Sequence, residues 1–127
     1  MKTAPKTIGL AFLGAASALI LALPVQAQPR PSSCFRTSEM RNHTIGDNKT
    51  MYFDVGGRSV WRAQMSNGCF AGATSSDAIV LQDRGGTGRI CSAIELDISS
   101  NGNRCIVSSL AKLTPEEVAA LPKKMKP

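Results

Sequence analysis

The chain has 127 residues with a formal net charge of +6, 43% hydrophobic and 5% aromatic side chains, four cysteines and one histidine. Three of its lysines, Lys123, Lys124 and Lys126, fall among the last five residues, so the basic excess is a tail property and not the charged stripe of a nucleic-acid-binding face. With a single histidine, His43, any hydrolytic triad or imidazole proton relay has to pass through that one polar-loop residue, and chemistry needs a constellation of groups.

The N-terminus carries Lys2 and Lys6, then an uncharged apolar run from Ile8 to Leu23, then Pro24 and Val25-Gln26-Ala27. This is the pattern of a cleaved export signal, residues 1–27, with the mature chain starting at Gln28. As a helix the run reaches only about 24 Å against a bilayer core of roughly 30 Å, so no stable membrane anchor is expected after cleavage. The first cysteine, Cys34, stands well beyond the cut, which argues against a lipid-attached form. The mature chain keeps 13 basic against 9 acidic residues, a net charge of +4. The expected location is the periplasm or the cell exterior, and in an oxidising compartment Cys34, Cys69, Cys91 and Cys105 form two disulfides. Their spacings of 35, 22 and 14 residues lack the close pairs of a zinc site. Of the three possible connectivities, Cys34 with Cys91 and Cys69 with Cys105 is preferred, because it joins the first strand to the long alternating strand and ties two loop-edge cysteines.

Residues 28–33 read as a flexible lead-in, and a single domain is expected over 34–121. Cys34 to Ser38 is a weak first strand, and Arg41 to Lys49 is a polar stretch with turn residues Gly46, Asp47 and Asn48. Thr50–Val55 and Arg58–Ala63 flank Gly56-Gly57 as a hairpin. A two-residue loop sets Tyr52 opposite Trp61 and puts Met51, Phe53, Val55 and Val60 on the core face, with Arg58 and Arg62 at its rim. The sequence leaves open whether the Tyr52–Trp61 face is a second packed layer or an exposed patch. Ala78 to Leu81 reads as a buried strand, and the loop Arg84-Gly85-Gly86-Thr87-Gly88-Arg89 leads into an alternating strand with Ile90, Ser92, Ile94, Leu96 and Ile98 inward. Cys105 to Leu110 is a final strand. Thr114-Pro115-Glu116-Glu117 opens the one expected helix with an N-cap, a proline at the first helical position and a capping box. Pro122 ends it, and residues 122–127 are expected to be a disordered lysine tail. The fold class is mainly β: a small antiparallel barrel or sandwich of five or six strands with one short C-terminal helix, stapled by disulfides.

Glu95 and Asp97 lie about 6.6 Å apart on one side of a strand, a spacing similar to that of glycosidase carboxylates. Simple alternation on a wet strand face is the favoured account of them. The glycine loop lacks the spacing, the lysine and the following helix of a phosphate loop, although Arg84 and Arg89 retain the chemistry to grip an anion. Asn42-His43-Thr44 and Asn48-Lys49-Thr50 are glycosylation acceptors only in a host with that machinery. The order Cys34, Trp61-Arg62, Cys69, Arg89-Ile90-Cys91, Cys105-Ile106 and Leu113-Thr114-Pro115-Glu116-Glu117 resembles a family of small exported four-cysteine bacterial proteins classed as a domain of unknown function. The resemblance covers roughly residues 34 to 121. The chain departs from the family in carrying Trp61 where tyrosine is frequent and in lacking a cysteine at the cut. It implies compartment and fold, and brings no activity or site residues.

The sequence names no catalytic residue, metal site or cofactor. It points to a non-catalytic binding or structural module of the cell envelope whose partner is a protein or an envelope polymer. Tyr52, Arg58, Trp61 and Arg62 on the hairpin are the candidate contacts, joined by Arg84 and Arg89 of the glycine loop. The alternative is a small envelope-directed enzyme or enzyme inhibitor using Glu95 and Asp97 or that loop.

Overall fold

The computed structural model describes residues 33–127; the expected signal peptide and all of the lead-in but Ser33 lie outside them. In chain order the elements are β1 (Phe35–Arg36), a 3-10 turn (Thr37–Glu39), β2 (Met40–Asp47), β3 (Thr50–Val55), β4 (Ser59–Met65), β5 (Ile79–Asp83), β6 (Arg89–Ile90), a 3-10 turn (Ala93–Glu95), β7 (Leu96–Ser100), β8 (Asn103–Cys105), β9 (Val107–Lys112), α1 (Pro115–Ala120) and a last 3-10 turn (Lys123–Met125). They pair in three antiparallel sheets, β2-β3-β4-β9, β5-β7-β8 and β1-β6. The protein is thus mainly β and sandwich-like, with no closed barrel. Its strand number exceeds the expected five or six because two expected strands are each split, into β6 and β7 and into β8 and β9, and because β2 occupies the polar stretch read as loop.

The hairpin differs from expectation by one residue, with large effect. Val55 pairs with Ser59, Phe53 with Trp61 and Tyr52 with Arg62, so the loop is Gly56-Gly57-Arg58 and not two glycines. Gly56 and Gly57 both take positive φ, 65° and 69°, a conformation open to glycine at little cost. The Gly57 N–H donates to Asp54 Oδ2 at 2.9 Å, and the Arg58 N–H to the Val55 carbonyl at 3.2 Å. One added residue exchanges the two faces of everything that follows. Trp61, Ala63 and Met65 therefore join Met51, Phe53 and Val55 in the core, and Val60 and Arg62 move to the opposite face. Trp61 is only 4% exposed; its ring centroid lies 4.7 Å from that of Phe35, and its indole N–H donates to Ser59 Oγ at 3.3 Å. The Tyr52–Trp61 pair does not exist.

β2 hid in the sequence because bulges break its alternation. Met40 faces Val55, but a register shift follows before His43 meets Phe53, and another comes before Asp47 meets Thr50. Its half-buried residues are thus not two apart, which is what an edge strand shielded by bulges looks like.

The C-terminal segment crosses the outer face of the four-stranded sheet. Leu113 N–H donates to Val60 O at one side of the sheet, and Thr44 Oγ1 on β2 donates to the Met125 carbonyl at 2.7 Å on the other. Between them α1 starts with the expected cap: Glu117 N–H donates to Thr114 Oγ1 and Thr114 N–H to Glu117 Oε2. Residues 122–127 are therefore not the expected disordered tail; their last 3-10 turn is seated on β2, with Lys126 Nζ donating to Ala119 O.

The three-stranded sheet departs from expectation at each strand. β5 is an edge strand with Val80 half exposed, not a buried run. The single alternating strand from Ile90 to Ile98 is broken by the 3-10 turn over Ala93–Glu95. Glu95 Oε2 accepts from the N–H groups of Cys91 (2.6 Å) and Ser92 (3.0 Å), a local bond set that competes with strand pairing. Ile90, Leu96 and Ile98 stay in the core, whereas Ile94 swings outward. The final strand is split as well: β8 pairs with β7, β9 pairs with β4, and the chain changes sheets at Ile106. Asn67 holds that corner, its amide donating to Arg104 O at 3.1 Å and accepting from the Ile106 N–H at 3.0 Å.

Both expected disulfides are present, Cys34–Cys91 and Cys69–Cys105, closing 57 and 36 residues. The first locks β1 to β6; the second ties the turn after β4 to β8, joining the two larger sheets. In the chain-entropy account, loops of these lengths stabilise by on the order of 4 kcal/mol each. Such bridges belong to proteins folded under oxidising conditions. No helix among the described residues is long and apolar enough to cross a membrane.

Candidate binding surfaces

Most polar groups with catalytic potential are already engaged by the fold. In the glycine loop the Asp83 carboxylate occupies the cradle that an anion would need. Oδ1 accepts from Gly85 N–H at 2.8 Å, and Oδ2 accepts from Gly88 N–H at 2.6 Å and from Thr87 Oγ1 at 3.1 Å. Desolvation pushes the Asp83 pKa up, but the bonds from Gly85, Gly88 and Thr87 together outweigh it and hold the carboxyl below its ordinary 3.8. The loop is thus a turn closed on its own anion. Arg84 and Arg89 project from it separately: Arg89 is exposed opposite Arg36 in the β1-β6 pair, and Arg84 turns to Asp97 at 3.9 Å.

Glu95 and Asp97 do not form a catalytic pair. Glu95 is spent in the Ala93–Glu95 turn, and Asp97 accepts from Arg104 Nε and Nη2, both at 3.3 Å. All four cysteines are oxidised and so cannot attack a substrate. His43 sits on β2 with its Nε2 buried and unbonded, so no hydrogen bond at that atom joins it to a nucleophile or carboxylate. Among the described residues no group of three His, Cys, Asp or Glu side chains stands close enough to hold a metal ion.

The hairpin contacts separate in the same way. Trp61 is core. Tyr52 and Arg62 share the outer face crossed by the C-terminal segment, and Arg62 Nε is buried there without a partner. Tyr52 also packs on Gly46, where a Cβ would stand 2.8 Å from its ring. Arg58 alone of the four is exposed, at the loop tip, where it lines a groove with Asp54, Val60, Leu113 and Val118.

What the sequence reading missed is a cleft of about 560 Å³ between the Ala93–Glu95 turn and the start of β9. Ile94 (72% exposed) and Ile106 (60%) present apolar surface to it, Val107 and Ser108 continue one wall, and Arg84 and Arg104 form the rim. Those two guanidinium groups share one carboxylate, Asp97, and so keep unused N–H donors. The signal for this site was present in the sequence: Ser92-Ala93-Ile94-Glu95 has the same spacing as the capping box Thr114-Pro115-Glu116-Glu117, and a helical turn there throws Ile94 out of the strand. No known protein family matches the chain, and neither a curated protein nor a solved structure matches it.

Proposed function

We propose that this protein is an exported, non-catalytic binding module of the bacterial cell envelope, acting in the periplasm or at the cell exterior, and that its binding surface is the cleft between Ile94 and Ile106. Export is supported by the charged start, apolar run and Val25-Gln26-Ala27 of the N-terminus together with two disulfides. The observation that carries the binding role is the exposure of Ile94 and Ile106 together beside two arginines; among the described residues only Val80 is a further exposed large apolar side chain. Apolar anchors with arginine at the margin are the chemistry of interfaces. The enzyme reading is disfavoured by the engagement of Glu95, Asp97 and Asp83 in structural bonds. The test is in the cell. A photo-crosslinking side chain at position 94 gives a discrete adduct in the exported fraction, and the same side chain at Asn101, on the far turn, gives none. Adducts at both positions alike, or at neither, or retention of the protein in the cytoplasm with free thiols, defeat the proposal.

A further inference from the structure

The chain contains the tripeptide Ser-Asn-Gly twice, as Ser66-Asn67-Gly68 just before Cys69 and as Ser100-Asn101-Gly102 shortly before Cys105. Asparagine followed by glycine is the thermolabile case, because glycine puts no side chain in the path of its own nitrogen. The local sequences match, but the fold treats them differently. The Asn67 carboxamide is held at both ends, its amide donating to Arg104 O at 3.1 Å and its oxygen accepting from the Ile106 N–H at 3.0 Å. Asn101-Gly102 is instead the two-residue loop of the β7–β8 hairpin, where Ser100 pairs with Asn103. Both loop residues take positive φ, 49° and 79°, and Asn101 is the one residue other than glycine to do so among those described, as a type I′ turn requires. The Asn101 carboxamide is exposed and joins no hydrogen bond among the described residues, and the Gly102 N–H joins none either. A Cβ built on Gly102 meets nothing within 4 Å, so its nitrogen can be approached freely.

We infer that Asn101-Gly102 is a self-modification site, at which Asn101 converts to isoaspartate and aspartate as the protein ages, while Asn67-Gly68 is preserved by the fold. The Gly102 main-chain nitrogen attacks Cγ of Asn101; the N–Cγ bond forms, the Cγ–Nδ2 bond breaks, and the proton of the attacking nitrogen leaves with the amide as ammonia. Water then opens the cyclic imide. Addition at Cγ restores the main chain and gives aspartate, whereas addition at the main-chain carbonyl carbon breaks its bond to the Gly102 nitrogen and leaves the chain running through Cγ as isoaspartate. Water is the only co-reactant. The attack requires Asn101 to leave its turn conformation, and a hairpin tip whose side chain holds nothing opens locally at little cost. At Asn67 the same motion breaks two hydrogen bonds and strips Arg104 O and the Ile106 N–H of their partner at the corner where the chain changes sheets. Either product adds a carboxylate to the turn whose Gly102 lines one hollow with Asp97 and Arg104. Isoaspartate also adds a methylene to a loop whose length sets the strand register.

The test is ageing of the oxidised mature protein in warm, mildly alkaline buffer, followed by proteolytic mapping with mass spectrometry and isoaspartate-specific fragmentation. The peptide holding Asn101 gains the mass of an amide-to-acid exchange about tenfold or more faster than the peptide holding Asn67, the two bonds at Asn67 setting the difference. After reduction and unfolding in urea the two sites convert at like rates. Asn101→Gly, with a residue that accepts positive φ, abolishes the gain at the turn; hydrogen exchange in β8 then stays constant through ageing, whereas in the parent it rises. Equal rates in the folded protein, faster conversion at Asn67, or none at Asn101 overturn the inference. A rate difference that survives unfolding also overturns it, since the selectivity then lies in the flanking sequence and not in the fold. Hydrogen exchange that rises equally in the parent and in Asn101→Gly overturns the effect on the hairpin.

Discussion

The two larger sheets of this protein are built on opposite terms. The four-stranded sheet packs on the core with one face, and the C-terminal segment crosses its other face from Val60 to Thr44, leaving most of its residues there half-buried or exposed. The three-stranded sheet is covered on one side only, and its open face carries Val80, Gln82, Asp97, Ser99 and Arg104. The exposed large apolar residues among those described, Val80, Ile94 and Ile106, all lie on or beside this second sheet. A sheet crossed on its second face has less freedom to meet a partner, whereas a sheet with one open face supplies surface for recognition at little cost to the core.

If that division holds, damage to the first sheet is paid in stability and damage to the second in binding. The largest effect is expected at Trp61: Trp61→Ala removes the ring packed on Phe35 and lowers unfolding free energy by about 3–5 kcal/mol in urea titration. A hairpin whose Trp61 were solvent-exposed would lose almost nothing. Next is the bridge between the sheets. Replacing Cys69 and Cys105 together by serine lowers stability by about 2–4 kcal/mol, and hydrogen exchange then rises first in β8, where the tie is lost. Asn67→Ala, which unclasps the sheet-switching corner by removing bonds to Arg104 O and Ile106 N–H, costs about 1–3 kcal/mol, read from the shift in thermal midpoint.

The Asp83 turn sharpens the comparison through pH. Its folded pKa lies below the ordinary 3.8, so its contribution is complete above the unfolded-state value and is lost as pH falls through the lower folded value. The stability gap between the parent and Asp83→Asn is therefore constant near neutrality and closes in acid below 3.8; a gap that instead grew in acid would reverse the sign. The smallest effect on folding belongs to the cleft. Ile94→Glu changes stability by less than about 0.5 kcal/mol, because that side chain already faces water.

The hairpin, the terminal helix and the bridges were legible because each rests on local chemistry or on compartment. Gly56-Gly57 marks a turn, Thr114 to Glu117 a cap, and four cysteines with no metal spacing a pair of disulfides. What failed was phase. A two-residue loop forces Arg58 and Arg62 onto the core face, and that discomfort was itself the sign of a missing loop residue: counting Arg58 into the loop moves Trp61 and Ala63 inside and Arg62 out. β2 failed for the same reason, its bulge converting a two-residue period into Met40, His43 and Ile45. Ile94 failed because apolar alternation alone was read there and the Ser92–Glu95 spacing went unnoticed. The cleft followed from that error, since a site built on a strand break is invisible while the strand is thought continuous.

The two disulfides interleave along the chain: Cys69 lies inside the span closed by Cys34 and Cys91, and Cys91 inside that closed by Cys69 and Cys105. A chain made from its N-terminus offers Cys34 and Cys69 first, and these are not partners. Oxidation that outruns folding therefore joins the wrong pair, and the native set is reached only when β6 has come alongside β1 and a thiolate reopens the early bond, an exchange that takes seconds to hours without help. Where oxidation outruns folding, yield of the native protein then depends on the supply of a disulfide-exchanging catalyst as well as on the stability of the finished fold.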